Sequence, residues 1–292
     1  MKNNKISKQF GIYRFVTPPF FKVLFPFIRF FQTMLAWQLK GNNEIAIVKE
    51  KINLLDHSER NIYIFEPTQK KITKTLLYIH GGAFVFKGNN KHFKLCQKYA
   101  KEGECRVIFI DYRLAPKFTY PIPLQDCISA YQWIVKENKN QEIIIGGDSA
   151  GGLLTIDLTI EIIKNKLPKP KALMLIYPLI DPFMTSNSMK KYTKTPMWNS
   201  KLNQKMWNLY LKNHSYSPPI NQPEIAQFPL TYLETAEFDC LHDEGIIFAQ
   251  KLKEHSVECI MNETLQTMHA FDHKECKITN KAVQERIKFL KK

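Results

Sequence analysis

No two of the six cysteines, Cys96, Cys105, Cys127, Cys240, Cys259 and Cys276, stand in C-x-x-C spacing. This removes the usual zinc and dithiol redox motifs. Several of the six lie inside apolar strand or helix patterns, so they read as reduced, packed thiols of a cytosolic protein. An even count paired in a secreted protein is the alternative. There is no internal repeat and no low-complexity linker. No Lys-Ser/Thr completes a phosphate loop, no G-x-G-x-x-G opens a dinucleotide fold, and no nucleic-acid motif is present. No acidic residue occurs before Glu44. The N-terminus is instead basic (Lys2, Lys5, Lys8, Arg14) and then aromatic, with Phe20, Phe21, Phe25, Phe27, Phe30 and Phe31. Lys22, Pro26 and Arg29 interrupt that run, and no small-residue cleavage site follows, so a signal peptide is not expected. The uncharged stretches are too short for a transmembrane helix. Two compatible readings remain for this segment: a cap over a site, or a basic, aromatic interfacial helix on a membrane.

What is present fits a soluble enzyme. The chain has 292 residues, 44% hydrophobic and 24% charged. That is enough for one large domain with a sizeable core, and disorder is not indicated. The net charge of +15 favours an anionic surface, an acidic partner or non-specific nucleic-acid contact. Lys is spread widely and Asn and Ile are also abundant, so biased composition is the preferred explanation.

Strands and helices alternate along the chain. Strands are expected at 44–52, 61–66, 75–80, 106–112, 172–177, 230–236 and 258–264. Helices are expected at 91–101, 124–137, 153–166, 243–255 and 281–290. Residues 182–228 read as polar and irregular, with a short helix near 198–211. Such alternation implies a mostly parallel sheet with helices on both faces. The densest signal lies at Ile143-Ile144-Ile145-Gly146-Gly147-Asp148-Ser149-Ala150-Gly151-Gly152. Here a β-branched strand meets Gly-x-Ser-x-Gly and then a helical pattern. A nucleophilic serine needs this tight, strained turn to point its hydroxyl out of the sheet edge. Gly147 and Gly151 flank it because a Cβ at either position would crowd the turn.

Further chemistry lines up with Ser149. His80-Gly81-Gly82-Ala83-Phe84 ends the strand at 75–80, and its small residues leave backbone N–H groups open to a tetrahedral oxyanion. His80 itself reads as structural. A serine needs a base, and the base needs a carboxylate to fix its tautomer. Asp239 and His269 are loop residues past the strands at 230–236 and 258–264, where ligand sites of parallel sheets form. Asp243 competes with Asp239, but with Glu244 it looks like a first-turn helix acid. His273 competes with His269, but 272–275 look solvated. His57, His92, His214, His242 and His255 read as surface residues.

Together these stretches resemble the hormone-sensitive-lipase-like family of α/β-hydrolases, the bacterial esterase and arylacetamide-deacetylase group. The matching segments are His80-Gly81-Gly82-Ala83-Phe84, Asp111-Tyr112-Arg113-Leu114-Ala115-Pro116, Gly147-Asp148-Ser149-Ala150-Gly151-Gly152, Asp239-Cys240-Leu241-His242-Asp243-Glu244-Gly245 and Met268-His269-Ala270-Phe271. The resemblance implies an α/β-hydrolase fold over 1–292, with a helical cap built from about 1–43 and 182–228. It implies Ser149 as nucleophile, His269 as base and acid, and Asp239 as its orienter. The N–H groups of Gly82, Ala83 and Ala150 would form the oxyanion hole, with Gly81 adjacent. Ala83, Lys117, Cys240 and His242 depart from the family's usual residues without removing a catalytic atom. The implied reaction is hydrolysis of a small-molecule or lipid ester with a short- to medium-chain acyl group, through an acyl-enzyme and without metal or cofactor. An amidase, deacetylase or lactonase would use the same triad. A non-catalytic ligand-binding protein is the reading from another class, and an intact triad speaks against it. The implied location is cytoplasmic or membrane-peripheral, with a homodimer left open.

Overall fold

In a computed structural model of the chain, residues 5–20, 22–36, 39–69, 72–137 and 141–292 are described, the side chains of 35 and 36 excepted. Lys2 and Phe21 of the N-terminal segment, with the rest of 1–4 and 37–38, lie outside the described residues.

The β-branched and aromatic runs become the strands of one eight-stranded sheet. These are β1 (Ile45–Asn53), β2 (Glu59–Pro67), β3 (Lys74–Ile79), β4 (Arg106–Ile110), β5 (Glu142–Asp148), β6 (Ala172–Ile176), β7 (Leu230–Phe238) and β8 (Cys259–Met268). Their order is β1-β2-β4-β3-β5-β6-β7-β8. β1 and β2 pair antiparallel, and so do β2 and β4. From β4 to β8 every pair is parallel. The continuous apolar runs have the expected cause, since both faces of the sheet centre are buried. Leu77, Ile79, Ile145, Leu173 and Leu175 join one core cluster. Leu76, Tyr78, Ile144, Met174 and Ile176, the alternate positions, join the other.

The helices are α1 (Phe25–Ala36), α2 (Asn90–Gly103), α3 (Ile122–Glu137), α4 (Ala150–Lys164), α5 (Asn187–Lys191), α6 (Ser200–Leu211), α7 (His242–Glu254) and α8 (Lys277–Leu290). α3, α4 and α7 bury Tyr131, Leu154 and Phe248 in the first cluster. α2 and α8 bury Tyr99 and Ile287 in the second. Three expected boundaries move by three residues or more, the first being β8, which runs on to Met268 rather than ending at 264. α4 begins at Ala150, directly after the serine, rather than at 153. α8 begins at Lys277, capped at Cys276, rather than at 281. Residues 182–228 are also more helical than their polarity indicated, holding α5, α6 and two 3₁₀ turns. Because β3, β5, β6, β7 and β8 are neighbours and parallel, the loops after them gather along one edge. His80, Ser149, Asp239 and His269 all stand in such loops.

Candidate active site

The serine is held in the backbone conformation that the sequence demands. Ser149 has φ 54° and ψ −119°, outside the comfortable regions for an L-residue. Neighbouring elements fix it there. Its N–H donates to Ile176 O at 2.9 Å, and its carbonyl accepts from Leu179 N at 3.1 Å. The flanking glycines are required by close approach. A Cβ on Gly147 would sit 2.6 Å from Ile79 O, and one on Gly151 would overlap the same oxygen. The start of α4 thus presses directly onto the end of β3.

Ser149, His269 and Asp239 come together as the sequence indicated. His269 Nε2 lies 2.9 Å from Ser149 Oγ, and His269 Nδ1 lies 2.5 Å from Asp239 Oδ2. A carboxylate can only accept, so Nδ1 carries the proton and Nε2 is left to accept from the serine. Asp239 is fully buried, and its Oδ1 accepts from Leu241 N at 3.0 Å. The imidazole is packed by Tyr177, with ring centroids 4.9 Å apart, and faces Trp198 at 6.2 Å. Asp243 is elsewhere. Its Oδ2 accepts from Ser188 N at 2.7 Å, and its Oδ1 lies 2.8 Å from His242 Nδ1.

The loop after β3 is wound left-handed at Gly82 (φ 116°), Ala83 (φ 56°) and Phe84 (φ 57°). Its turn is closed by the Gly82 carbonyl, which accepts from Val85 N at 3.0 Å and Phe86 N at 2.8 Å. Gly82 and Ala83 line the cavity beside Ser149. Ala150 opens α4, so its N–H has no intrahelical acceptor. Gly81, expected beside the donors, is not one of them. Its N–H donates to Asp148 Oδ1 at 3.0 Å and is not free for an oxyanion. Gly81 instead lets the loop lie against that carboxylate.

Asp148 is a buried support that sequence reasoning did not single out. It also accepts from Tyr78 Oη at 2.8 Å, and His92 Nε2 lies 3.4 Å from it. Burial alone would push its carboxyl up. The neighbouring His92 and the hydrogen bonds from His92, Tyr78 and Gly81 outweigh that and hold it well below the ordinary carboxylate range. His92 is therefore not a surface residue. It is buried, caps α2 with Asn89 and braces the strand end. His80 is buried too, stacked between Tyr112 and Phe109 at 4.4 and 5.1 Å. Burial, reinforced by His92, lowers its pKa to about 4, so it stays neutral and structural. His57, His214 and His255 are exposed, and His242 is half-buried between Asp243 and Glu263.

Nor are residues 272–275 uniformly solvated. Asp272 is buried, accepting from Tyr177 Oη at 2.6 Å and pairing with Arg286 at 2.7 Å. Arg286 is fully buried and also meets Glu234 at 2.6 Å. This network ties the His269 loop to α8 and β7. The one sequence signal for it was an arginine on the apolar face of α8, four residues after Ala282.

A cavity of about 400 Å³ opens over Ser149. Beyond the residues above, its walls include Phe86, Met197 and Trp198, with Pro18, Pro19, Ile28 and Gln32 from the N-terminal segment. That segment and 182–228 touch directly. Met197 N donates to Val16 O at 2.7 Å, and Phe20 packs on Trp198 at 5.7 Å. Among the described residues, no group of three or more His, Cys, Asp or Glu could hold a metal ion. No helix of the described residues is long and apolar enough to cross a membrane.

The chain is similar to known proteins. An arylesterase of Saccharolobus solfataricus is 28% identical over 233 residues, covering 76% of this chain and 75% of the relative. An ethyl acetate hydrolase of Pseudomonas putida is 28% identical over 194 residues, covering 62% of this chain and 61% of the relative. The crystal structure of esterase LipW from Mycobacterium marinum superposes with a TM-score of 0.90 over 99% of this chain and 96% of that one. At 20% identity this last likeness is one of fold. The sequence profile of the alpha/beta hydrolase fold matches residues 76–273, from β3 through the His269 loop. The chain belongs to the α/β-hydrolase family, in its hormone-sensitive-lipase-like group.

Proposed function

We propose that this protein is a serine hydrolase of carboxylic esters, working through an acyl-enzyme with Ser149, His269 and Asp239 as its triad. The observation that carries the reading is the unbroken hydrogen-bonded chain from Asp239 through His269 to Ser149, at 2.5 and 2.9 Å, beneath a cavity of about 400 Å³. His269 Nε2 takes the Ser149 proton as the hydroxyl oxygen attacks the ester carbonyl. Asp239 holds the ring and stabilises the imidazolium. The N–H groups of Gly82, Ala83 and Ala150 receive the oxyanion, each worth on the order of 3 kcal/mol to the transition state. His269 then returns the proton to the leaving alcohol. Water repeats the sequence on the acyl-enzyme.

In this proposal, 1–43 and 182–228 are the cap. The Met197–Val16 bond and the Phe20–Trp198 contact support it, as do the wall residues that both segments give to the cavity. The apolar wall of Ile28, Phe86, Met197 and Trp198 favours short- to medium-chain acyl groups. A p-nitrophenyl ester length series tests this, with Ser149→Ala as the inactive control. An organophosphonate probe followed by mass spectrometry should place its adduct on Ser149. An adduct on another residue of active protein would refute the assignment.

A further inference from the structure

An ordinary surface helix turns its apolar stripe to the core and its polar face outward. α1 does the reverse. Its inward face carries Arg29, Gln32 and Thr33, which are half-buried. Arg29 donates to the carbonyls of Val85, at 2.7 Å, and Ala115. Gln32 exchanges two hydrogen bonds of 3.0 Å with the Lys87 backbone. Phe25 is the buried apolar anchor, packed on Phe20 and Phe86. The outward face carries Phe27, Phe30, Phe31 and Met34, the i, i+3, i+4, i+7 stripe, at 64%, 62%, 63% and 47% exposure. Val23 and Leu24 extend it at the helix start. Most of the large apolar side chains left exposed among the described residues fall within 12–34. Isolated exposed apolar residues need no explanation, but a clustered aromatic stripe does.

The charge says what covers it. Residues 1–43 contain no Asp or Glu, Lys22 precedes the helix, and the whole chain carries +15. An aromatic face beside lysines and free of carboxylates matches an anionic lipid surface: rings at the acyl boundary, ammonium groups among the headgroups. α1 is also placed for it, because its other side, through Ile28 and Gln32, lines the cavity over Ser149. We infer that the outward face of α1 docks this protein on anionic bilayers, so that the cavity mouth opens beside the lipid. The chain lies on the membrane and does not span it. The docking does not depend on the ester-hydrolase reading.

Full-length protein co-sedimented with vesicles tests the inference. Vesicles of phosphatidylcholine and phosphatidylglycerol in equal parts should bind it more tightly than phosphatidylcholine alone, and added salt should weaken the binding. Phe27→Ser combined with Phe31→Ser should reduce partitioning by about tenfold or more. The same variant should keep wild-type turnover of a short water-soluble ester, since neither side chain lines the cavity. Ser149→Ala should bind vesicles like wild type, so a failed hydrolase assignment and failed docking are separable. Wild-type protein that ignores anionic vesicles overturns the inference, and so does a Phe27/Phe31 variant that binds them equally well. A dimer in solution that this variant converts to monomer would assign the face to a second copy instead.

Discussion

Two aspartates compete to orient His269, and they stand four positions apart in the chain. Only the loop past β7 brings a carboxylate to Nδ1, and that carboxylate is Asp239 at 2.5 Å. Asp239→Asn presents an amide in place of an acceptor-only group, which stabilises the wrong imidazole tautomer. It should lower kcat by on the order of 10⁴-fold. Asp243→Asn should leave kcat nearly unchanged, because Asp243 serves Ser188 and His242 instead. Steady-state kinetics on one short ester decides between them, and a severe kcat loss in Asp243→Asn would reverse the assignment. These side chains were legible because each stands just past an apolar run, and a strand end locates a loop residue. His92, Asp148, Asp272 and Arg286 were not legible in the same way. A charged or imidazole side chain reads as solvated unless its partner is known. Those partners lie 56 residues away for His92 and Asp148, and 52 for Arg286 and Glu234. The partner of the Gly81 N–H was hidden for the related reason that it is Asp148, 67 residues on.

The elbow works only if β3, β5 and α4 approach one another to backbone contact. The first turn of α4 lies against the Ile79 and His80 carbonyls, where a Cβ on Gly151 would overlap Ile79 O and stand 2.7 Å from His80 O. Both obstacles are main chain and cannot rotate away. Gly151→Ala should therefore destabilise the fold by about 3 kcal/mol and misplace the Ser149 hydroxyl together with its oxyanion donors. Denaturant unfolding and ester turnover should fall together. An unchanged midpoint would show that the helix has room to shift. The Gly-x-Ser-x-Gly spacing carried this element into view, because glycine there has one steric explanation. α1 shows the opposite case. Its aromatic run was visible, but the sequence left both a cap and an interfacial helix open for it. Phe20 and Phe25 are buried, while Phe27, Phe30 and Phe31 are exposed. Sequence periodicity marks a stripe, but not whether protein or something else faces it.

Alternation of strands and helices was enough to give a mostly parallel sheet, whereas the crossing of β3 and β4 and the antiparallel β2–β4 pairing depend on long-range contacts. Residues 182–228 were the least legible, because their polarity disguised how they attach. Tyr216, from this stretch, donates to both oxygens of Asp157 on α4 at 2.9 and 3.0 Å. Asp157 is buried, and burial raises its carboxyl from 3.8 to about 7, with the Tyr216 hydrogen bond only partly opposing and Glu161 adding to the rise. Between those two values the folded chain keeps a proton that the unfolded chain has lost. The stability from this group is thus fully present below the unfolded value and is lost as pH rises through the folded one. Asp157→Asn keeps an acceptor for Tyr216 and removes the titration. From about pH 5 to about pH 8, wild type should lose about 3 kcal/mol of stability relative to Asp157→Asn. Other groups cancel in the comparison, since both proteins share them. Paired denaturant titrations at the two pH values measure the difference. If the difference between wild type and variant instead stayed constant from about pH 5 to about pH 8, Asp157 would be ionised in the fold throughout, and the attachment of 182–228 to α4 would be a charged hydrogen bond rather than a neutral one.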